Sequence, residues 1–413
     1  MLRAVSDRTS ERPALQAGLS RRLVLLLAVA CGAAVANLYY AQPLLHTLAQ
    51  AFGVSDGTAG LLITVTQVGY VIGLTLLVPI GDLRERRGLI SATLVVTAAA
   101  LAVAAAAPSI AVFGAAILVV GLTSVVAQVI VPMSSSLAAE HERGRVVGTV
   151  MSGLLIGILL ARTVSGLIAA ALGWRVVFVF ASVGMLALAA TLRRALPKVP
   201  PTTELSYGGL LRSVLVLVRE EPVLRQRMIL GGLTFGCFSA LWTSLAFLLA
   251  GAPYHYGNAV IGLFGLAGVA GAMAASVVGR LADRGHGSTA STVSILVLLA
   301  SWAALAAGRS SVLVLIIGIA VLDLGAQGLH ISNQSAIYAL RPDARSRLTT
   351  AYMVSYFLGG AVLSAATSSL YASDGWSGVC VLGAITAALA LATWAITSIS
   401  FRARARRHVG AVV

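Results

Sequence analysis

The chain has 413 residues, of which 58% are hydrophobic and only 10% charged, and it carries 42 glycines. A soluble chain holds about a quarter charged residues, so a soluble enzyme or binding module is excluded in favour of an all-helical polytopic membrane protein. A net charge of +15 would suggest a nucleic-acid partner in a soluble protein, but the placement of that charge along the chain removes this reading.

Apolar runs near or above the roughly 20 residues that cross a bilayer as a helix fall at 23–45, 58–80, 89–107, 110–132, 146–171, 175–192, 227–250, 258–279, 289–307, 312–340, 348–370 and 376–400. These predict twelve spans, with the narrowest divisions at Pro108-Ser109 and Gly308-Arg309. The basic start and apolar stretch of Arg21 to Ala36 are like a signal peptide, but further spans follow at once, so it reads as an uncleaved first span. The expected organisation is a tail over 1–22, a six-helix bundle over 23–192, a linker over 193–226, a second six-helix bundle over 227–400 and a tail over 401–413. Within the linker, Leu210, Leu211, Val214, Leu217 and Val218 recur at helical spacing. That pattern fits a short helix on the membrane surface or a flexible loop with accidental periodicity.

With the amino terminus inside, 26 of the 29 Lys and Arg residues fall in cytoplasmic segments. This positive-inside bias predicts a multi-pass protein of the plasma (bacterial inner) membrane with both termini cytoplasmic. Cys31, Cys237 and Cys380 each fall in a different span, without metal-ligand spacing, and read as small packing residues.

The halves look duplicated. Gly-Asp-Leu-Arg-Glu-Arg at 81–86 matches Gly-Arg-Leu-Ala-Asp-Arg at 279–284 with an offset of 198, and Arg145, Met151, Gly157 and Trp174 match Arg347, Met353, Gly359 and Trp376 with an offset of 202. A parallel duplication of six plus six helices accounts for this, and such folds rock two bundles about a site near the midplane.

Arg162 and Asp323 are the charged side chains committed to the middle of spans, where each costs about 2.5 to 3.5 kcal/mol on insertion scales unless it finds a partner or a watery cavity. Counted from Trp174 and Ser311, both lie roughly 18 Å from the outer face at about 1.5 Å per residue, so they share a depth. Asp323, Gln327, His330 and Gln334 line one face of the tenth span, a polar stripe that should face a cavity, with His330 a candidate for the proton-coupling group and Gln327 and Gln334 for the cavity wall. Asn37, Tyr40, Thr64, Gln67, Ser124, Gln128 and Trp242 sit at similar depths, as cavity wall or as interhelical hydrogen-bonding groups.

The loop residues Gly81, Leu83, Glu85, Arg86 and Gly88 resemble the signature G-x-L-a-D-R-x-G-R-R of the major facilitator superfamily, with Glu for Asp and Leu89-Ile90 at the closing basic pair. Its counterpart keeps Gly279, Leu281, Ala282, Asp283 and Arg284, with the closing glycine displaced to Gly287. Span count, linker and repeat extend the resemblance over the chain, most closely to the twelve-span drug and sugar efflux branch. Where the antiporters of that branch carry G-P-x-x-G-G, this chain has Ala161-Arg162-Thr163-Val164-Ser165-Gly166, with Arg in the proline position. The Arg that the branch typically carries in its fourth span is replaced here by Ile117.

The resemblance implies two six-helix bundles, a cavity lined by spans 1, 4, 7 and 10, and a cytoplasmic latch made by the two loops. The expected function is proton-coupled efflux of a small organic solute by alternating access, with no cofactor or metal and a monomer in the bilayer. Asp323 would carry the proton under the opposing influences of desolvation and Arg162, forming a breakable pair with it. An uptake symporter for a small anion, bound by Arg162, is the alternative. No HExxH, GxSxG, metal spacing or Walker loop supports an intramembrane enzyme, and tails of about 22 and 13 residues are short for a receptor's signalling domain.

Overall fold

The computed structural model describes residues 19–199, 201, 206–268, 278, 281, 284, 286–341 and 344–410, with side chains up to 398. Nine helical stretches among them are long and apolar enough to cross a membrane. The last, Arg345–Ser398, holds two spans, because Gly375 interrupts it with φ 59° and ψ −150°, a conformation open to glycine. Span 1 is built from shorter pieces, and of span 8 only the first part, Asn258–Gly268, lies as a continuous stretch within the described residues.

Span 1 opens with Arg21–Ala36, capped by Ser20, whose side chain accepts from Leu23 N. The helix was expected to run on to residue 45. Instead it loosens into turns over 37–41 and restarts as Gln42–Leu44 and Leu45–Phe52, with Pro43 in the first turn of the restart, where its missing N–H costs nothing. Span 2 is Asp56–Leu76, span 3 Arg86–Ala106, span 5 Arg143–Leu172 and span 6 Trp174–Ala195. Span 4 was expected unbroken, but divides into Ile110–Thr123 and Val126–Leu137. The break has a local cause: the hydroxyls of Thr123 and Ser124 bond back to Val119 O and Val120 O, which bends a helix.

The linker forms the helix Tyr207–Glu220, capped by Ser206. Span 7 is Pro222–Ala250, span 9 Gly287–Ala307 and span 10 Val312–Tyr338. Span 8 starts as Asn258–Leu263 and tightens into the 3-10 segment Phe264–Gly268. In span 7, 89% of the apolar window is buried, against 33–56% elsewhere, so this helix sits at the centre while the others show a flank to lipid.

Pairs of spans pack alike in the two halves. Span 1 and span 5 approach so closely that a Cβ on Gly157 would strike the backbone of Gly32 and one on Gly32 would strike that of Gly153, and in the other half a Cβ on Gly359 of span 11 would strike the backbone of Gly232 of span 7. The halves meet along two seams, span 2 against span 11 and span 5 against span 8. Both seams close at the end opposite the linker, called here the far end.

Candidate functional site

Arg162 is 3% exposed in span 5, and its guanidinium is met by aromatic rings rather than a carboxylate. Its Cζ lies 3.9 Å from the ring centroid of Trp242, 4.7 Å from Tyr39 and 5.5 Å from Phe238. A ring face attracts a cation without neutralising it, and more strongly once water is excluded. Nε donates to Gln42 Oε1 at 2.6 Å, Nη1 reaches Ile158 O at 3.4 Å, and Nη2 has no partner.

The pair expected between Arg162 and Asp323 is not made in this conformation. All five ion pairs closer than 4.0 Å among the described residues involve other side chains. The reason lies in the 3-10 segment of span 8. Residues three apart eclipse in such a helix, so Gly265 and Gly268 share a face. A Cβ on Gly265 would lie 2.9 Å from Arg162 Cβ, and one on Gly268 would lie 2.7 Å from Asp323 Oδ2. Acid and base thus rest on one strip of backbone, side by side and within electrostatic reach. Asp323 is 5% exposed and its Oδ1 has no hydrogen-bond partner, and neither has the Trp242 indole N–H.

Gln42 comes from the broken part of span 1, and that break leads straight to the far-end seam. The turn Gln42–Leu44 feeds the helix Leu45–Phe52, where Thr47 Oγ1 donates to Asn258 Oδ1 at 2.8 Å. The backbone oxygen of Asn258 packs on Gly166, one turn from Arg162, and Thr163 Oγ1 donates to Gly262 O at 3.0 Å. Arg162, Gln42, Thr47 and Asn258 therefore form a closed circuit through spans 1, 8 and 5. Neither Gln42 nor Tyr39 stood out in the sequence; a Gln-Pro step inside an apolar run was the available signal.

The other candidate residues scatter. Gln67 Nε2 donates to Ser239 Oγ of span 7 at 3.0 Å, beside the other seam, across which Thr64 Oγ1 donates to Ser364 Oγ at 3.1 Å. Gln128 Nε2 donates to Tyr70 OH at 3.3 Å within the first half, and Ser124 is turned back on its own helix. Asn37 Nδ2 touches Met185 Sδ at 3.5 Å, leaving its Oδ1 unsatisfied. Tyr40 lines an apolar groove between spans 1 and 5, away from Arg162's aromatic rings. His330 Nδ1 pairs with Tyr352 OH at 3.0 Å, and its ring lies 4.7 Å from that of Tyr356, so it is held within the second half. Gln327 and Gln334 are half-buried on the same helix.

At the linker end, Glu85 does not pair with Arg86. It caps span 3, accepting from Arg87 N at 2.8 Å and Gly88 N at 2.9 Å, where a carboxylate complements the helix dipole. Asp82 supplies the partner instead, accepting from Arg86 Nη2 at 2.9 Å, while Arg86 Nε donates to Gly81 O at 2.9 Å. Of the counterpart loop, Gly279 and Asp283 lie outside the described residues and Arg284 is an exposed turn residue.

Similarity to known proteins matches this architecture. The sequence model of the Major Facilitator Superfamily covers residues 24–308. The uncharacterized transporter YgaY of Escherichia coli O157:H7 is 50% identical over 376 residues, covering 91% of this chain and 95% of the relative. A chloramphenicol resistance protein of Streptomyces lividans is 29% identical over 285 residues, 68% of this chain and 71% of that one. The crystal structure of the human organic anion transporter MFSD10 (TETRAN) superposes with a TM-score of 0.69 at 18% identity, over 91% of this chain and 99% of that chain. Duplicated bundles, two glycine-lined seams, the signature-like loop at 81–88 and these likenesses lead to one conclusion: this chain is a member of the Major Facilitator Superfamily, a multi-pass membrane transporter and not an enzyme.

Proposed function

We propose that the protein exports a small, amphipathic organic solute in exchange for protons, with the linker end cytoplasmic and the far end outside. The observation that carries this reading is the side-by-side burial of Arg162 Nη2 and Asp323 Oδ1, both without a hydrogen-bond partner, on one strip of span 8. Leaving two such groups unmet is costly, so each is available to a ligand, a proton or the other. With a proton on Asp323, Arg162 turns to Gln42 and the Trp242 ring, and the circuit through Thr47 and Asn258 holds the far end shut; this is the arrangement described above. Loss of the proton to the cytoplasm restores the negative charge and draws Arg162 off Gln42, which loosens span 1 and the far-end seam. Proton occupancy and the side of access are then one equilibrium.

The rings of Tyr39, Phe238 and Trp242 suit a flat or weakly polar solute, and the chloramphenicol resistance relative favours export. The second reading, uptake of a small anion, is favoured by the unpartnered Nη2, since a guanidinium matches carboxylate geometry. A solute screen in everted vesicles with a pH-sensitive dye separates the two. Export by exchange moves protons out of the vesicle as solute enters. Proton movement in the same direction as the solute would establish symport instead, and solute transport indifferent to the gradient would remove proton coupling.

A further inference from the structure

We infer that the linker helix and the adjoining ends of spans 10 and 11 form a binding site for the headgroup of an anionic phospholipid. The helix Tyr207–Glu220 is strapped to both halves. At its start, Tyr207 OH donates to Leu76 O of span 2 at 3.0 Å. At its end, Glu221 and Glu220 accept from Arg341, beyond span 10, at 2.8 and 3.0 Å. Between these ties the helix bridges a groove of about 380 Å³ lined by Gly209, Arg212, Ser213, Glu220, Arg341 and Arg347, with Val216, Leu217 and Ala344 completing it. A water occupies about 30 Å³ of liquid, so the groove takes a hydrated phosphodiester.

Its chemistry selects the ligand. Three guanidinium groups face one carboxylate along the lining. Arg341 is spent on the two glutamates, which fixes the strap, whereas Arg212 has no partner among the described residues and projects where a phosphate could be met. On the same helix Leu215 is 61% and Val216 38% exposed, while Leu210 and Leu217 are buried against the protein. An exposed apolar pair beside a basic groove at a membrane surface offers one footing for acyl chains and another for a headgroup, which a free anion would not use. Because the strap touches both halves, an occupant would also bear on how far they separate at this end.

Native mass spectrometry of the full chain, released from detergent doped with phosphatidylglycerol, phosphatidylcholine or inorganic phosphate alone, tests the site. The expected result is one retained phosphatidylglycerol, with affinity lowered about thirtyfold in the double variant Arg212→Ala, Arg347→Ala, on the scale of two basic groups near a charged lipid. Arg84→Ala, at an exposed arginine on the other half, should retain the lipid and so control for general charge. If Arg347→Ala disturbs folding, Arg212→Ala alone gives the same reading, since its side chain is exposed and unpaired. Equal retention of phosphatidylcholine, undiminished phosphatidylglycerol in the Arg212 variant, equal loss in Arg84→Ala, or equal binding of phosphate alone would each overturn the inference.

Discussion

The two seams between the halves are related by the repeat, and they differ where it matters. At the offset of 202, Arg162 and Gly166 of span 5 correspond to Ser364 and Ser368 of span 11; at the offset of 198, Gly60 and Thr64 of span 2 correspond to Asn258 and Gly262 of span 8. The contacts correspond too. Gly60 packs on Ser368 as Asn258 packs on Gly166, and Thr64 meets Ser364 where Gly262 meets Arg162. Duplication thus supplies two near-identical hinged surfaces. One is closed by neutral hydroxyls, with Ser364 accepting from Thr64 and Thr243 at 3.1 and 3.2 Å, and the other has a buried cation at its base with an acid beside it. In the proposed function, the symmetry would serve the motion and the broken symmetry would give a place to couple it.

Exchanging the seams' chemistry should have unequal consequences. Arg162→Ala leaves Asp323 with no cation nearby and should lower driven transport by at least ~100-fold, on the scale of about 3 kcal/mol or more for breaking a buried charge network. Ser364→Ala, the equivalent position, loses two neutral hydrogen bonds worth about 1 kcal/mol each and should cost no more than about thirtyfold in the same transport assay. Comparable losses in both variants, at matched membrane abundance, would mean the seams are functionally alike.

Steric change, by contrast, should affect the seams equally. Gly166→Val and Gly60→Val each push a side chain into facing atoms across the gap, an overpacking worth about 1–3 kcal/mol. Both should hold the far end ajar, read as faster labelling by an impermeant reagent from outside in an Ala49→Cys background, a buried position on the helix Leu45–Phe52. Unchanged labelling in either would show that its seam does not close at this point. A further effect confined to the Arg162 seam is expected from Gln42→Ala, which removes one hydrogen bond to a charged group, worth about 1.5–3 kcal/mol. It should lower transport roughly tenfold or more while leaving solute binding by equilibrium dialysis near the wild-type value. Weakened binding without a change in turnover would place Gln42 in the solute site instead of the circuit.

How much of this was legible in the sequence follows from which interactions leave a local trace. Spans and duplication did, because hydrophobicity over twenty residues and repeated loops such as 81–86 are properties of short stretches. Arg162 and Asp323 stood out because a charge in an apolar run is conspicuous. Their shared depth could be counted along the spans, but the way they pack side by side instead of pairing could not, since it depends on Gly265 and Gly268 in a segment whose helix type changes from α to 3-10. The break in span 1 was masked by its apolar composition despite Pro43, so Gln42 passed as one more residue of a continuous helix. Glu85 matched the latch signature by position, yet the acid that pairs with Arg86 is its neighbour Asp82, because a carboxylate one residue before a helix is taken by the free N–H groups of its first turn.

The asymmetry of the seams is tested most directly by measuring Asp323→Asn in two modes on one vesicle preparation, solute accumulation driven by a proton gradient and solute exchange at equilibrium without one. Asparagine mimics the protonated acid but cannot cycle. Accumulation should vanish while exchange persists at a rate within about tenfold of the wild type, corresponding to about 1.4 kcal/mol. Gradient-driven accumulation at the wild-type level in this variant would contradict the assignment of the coupling proton to Asp323.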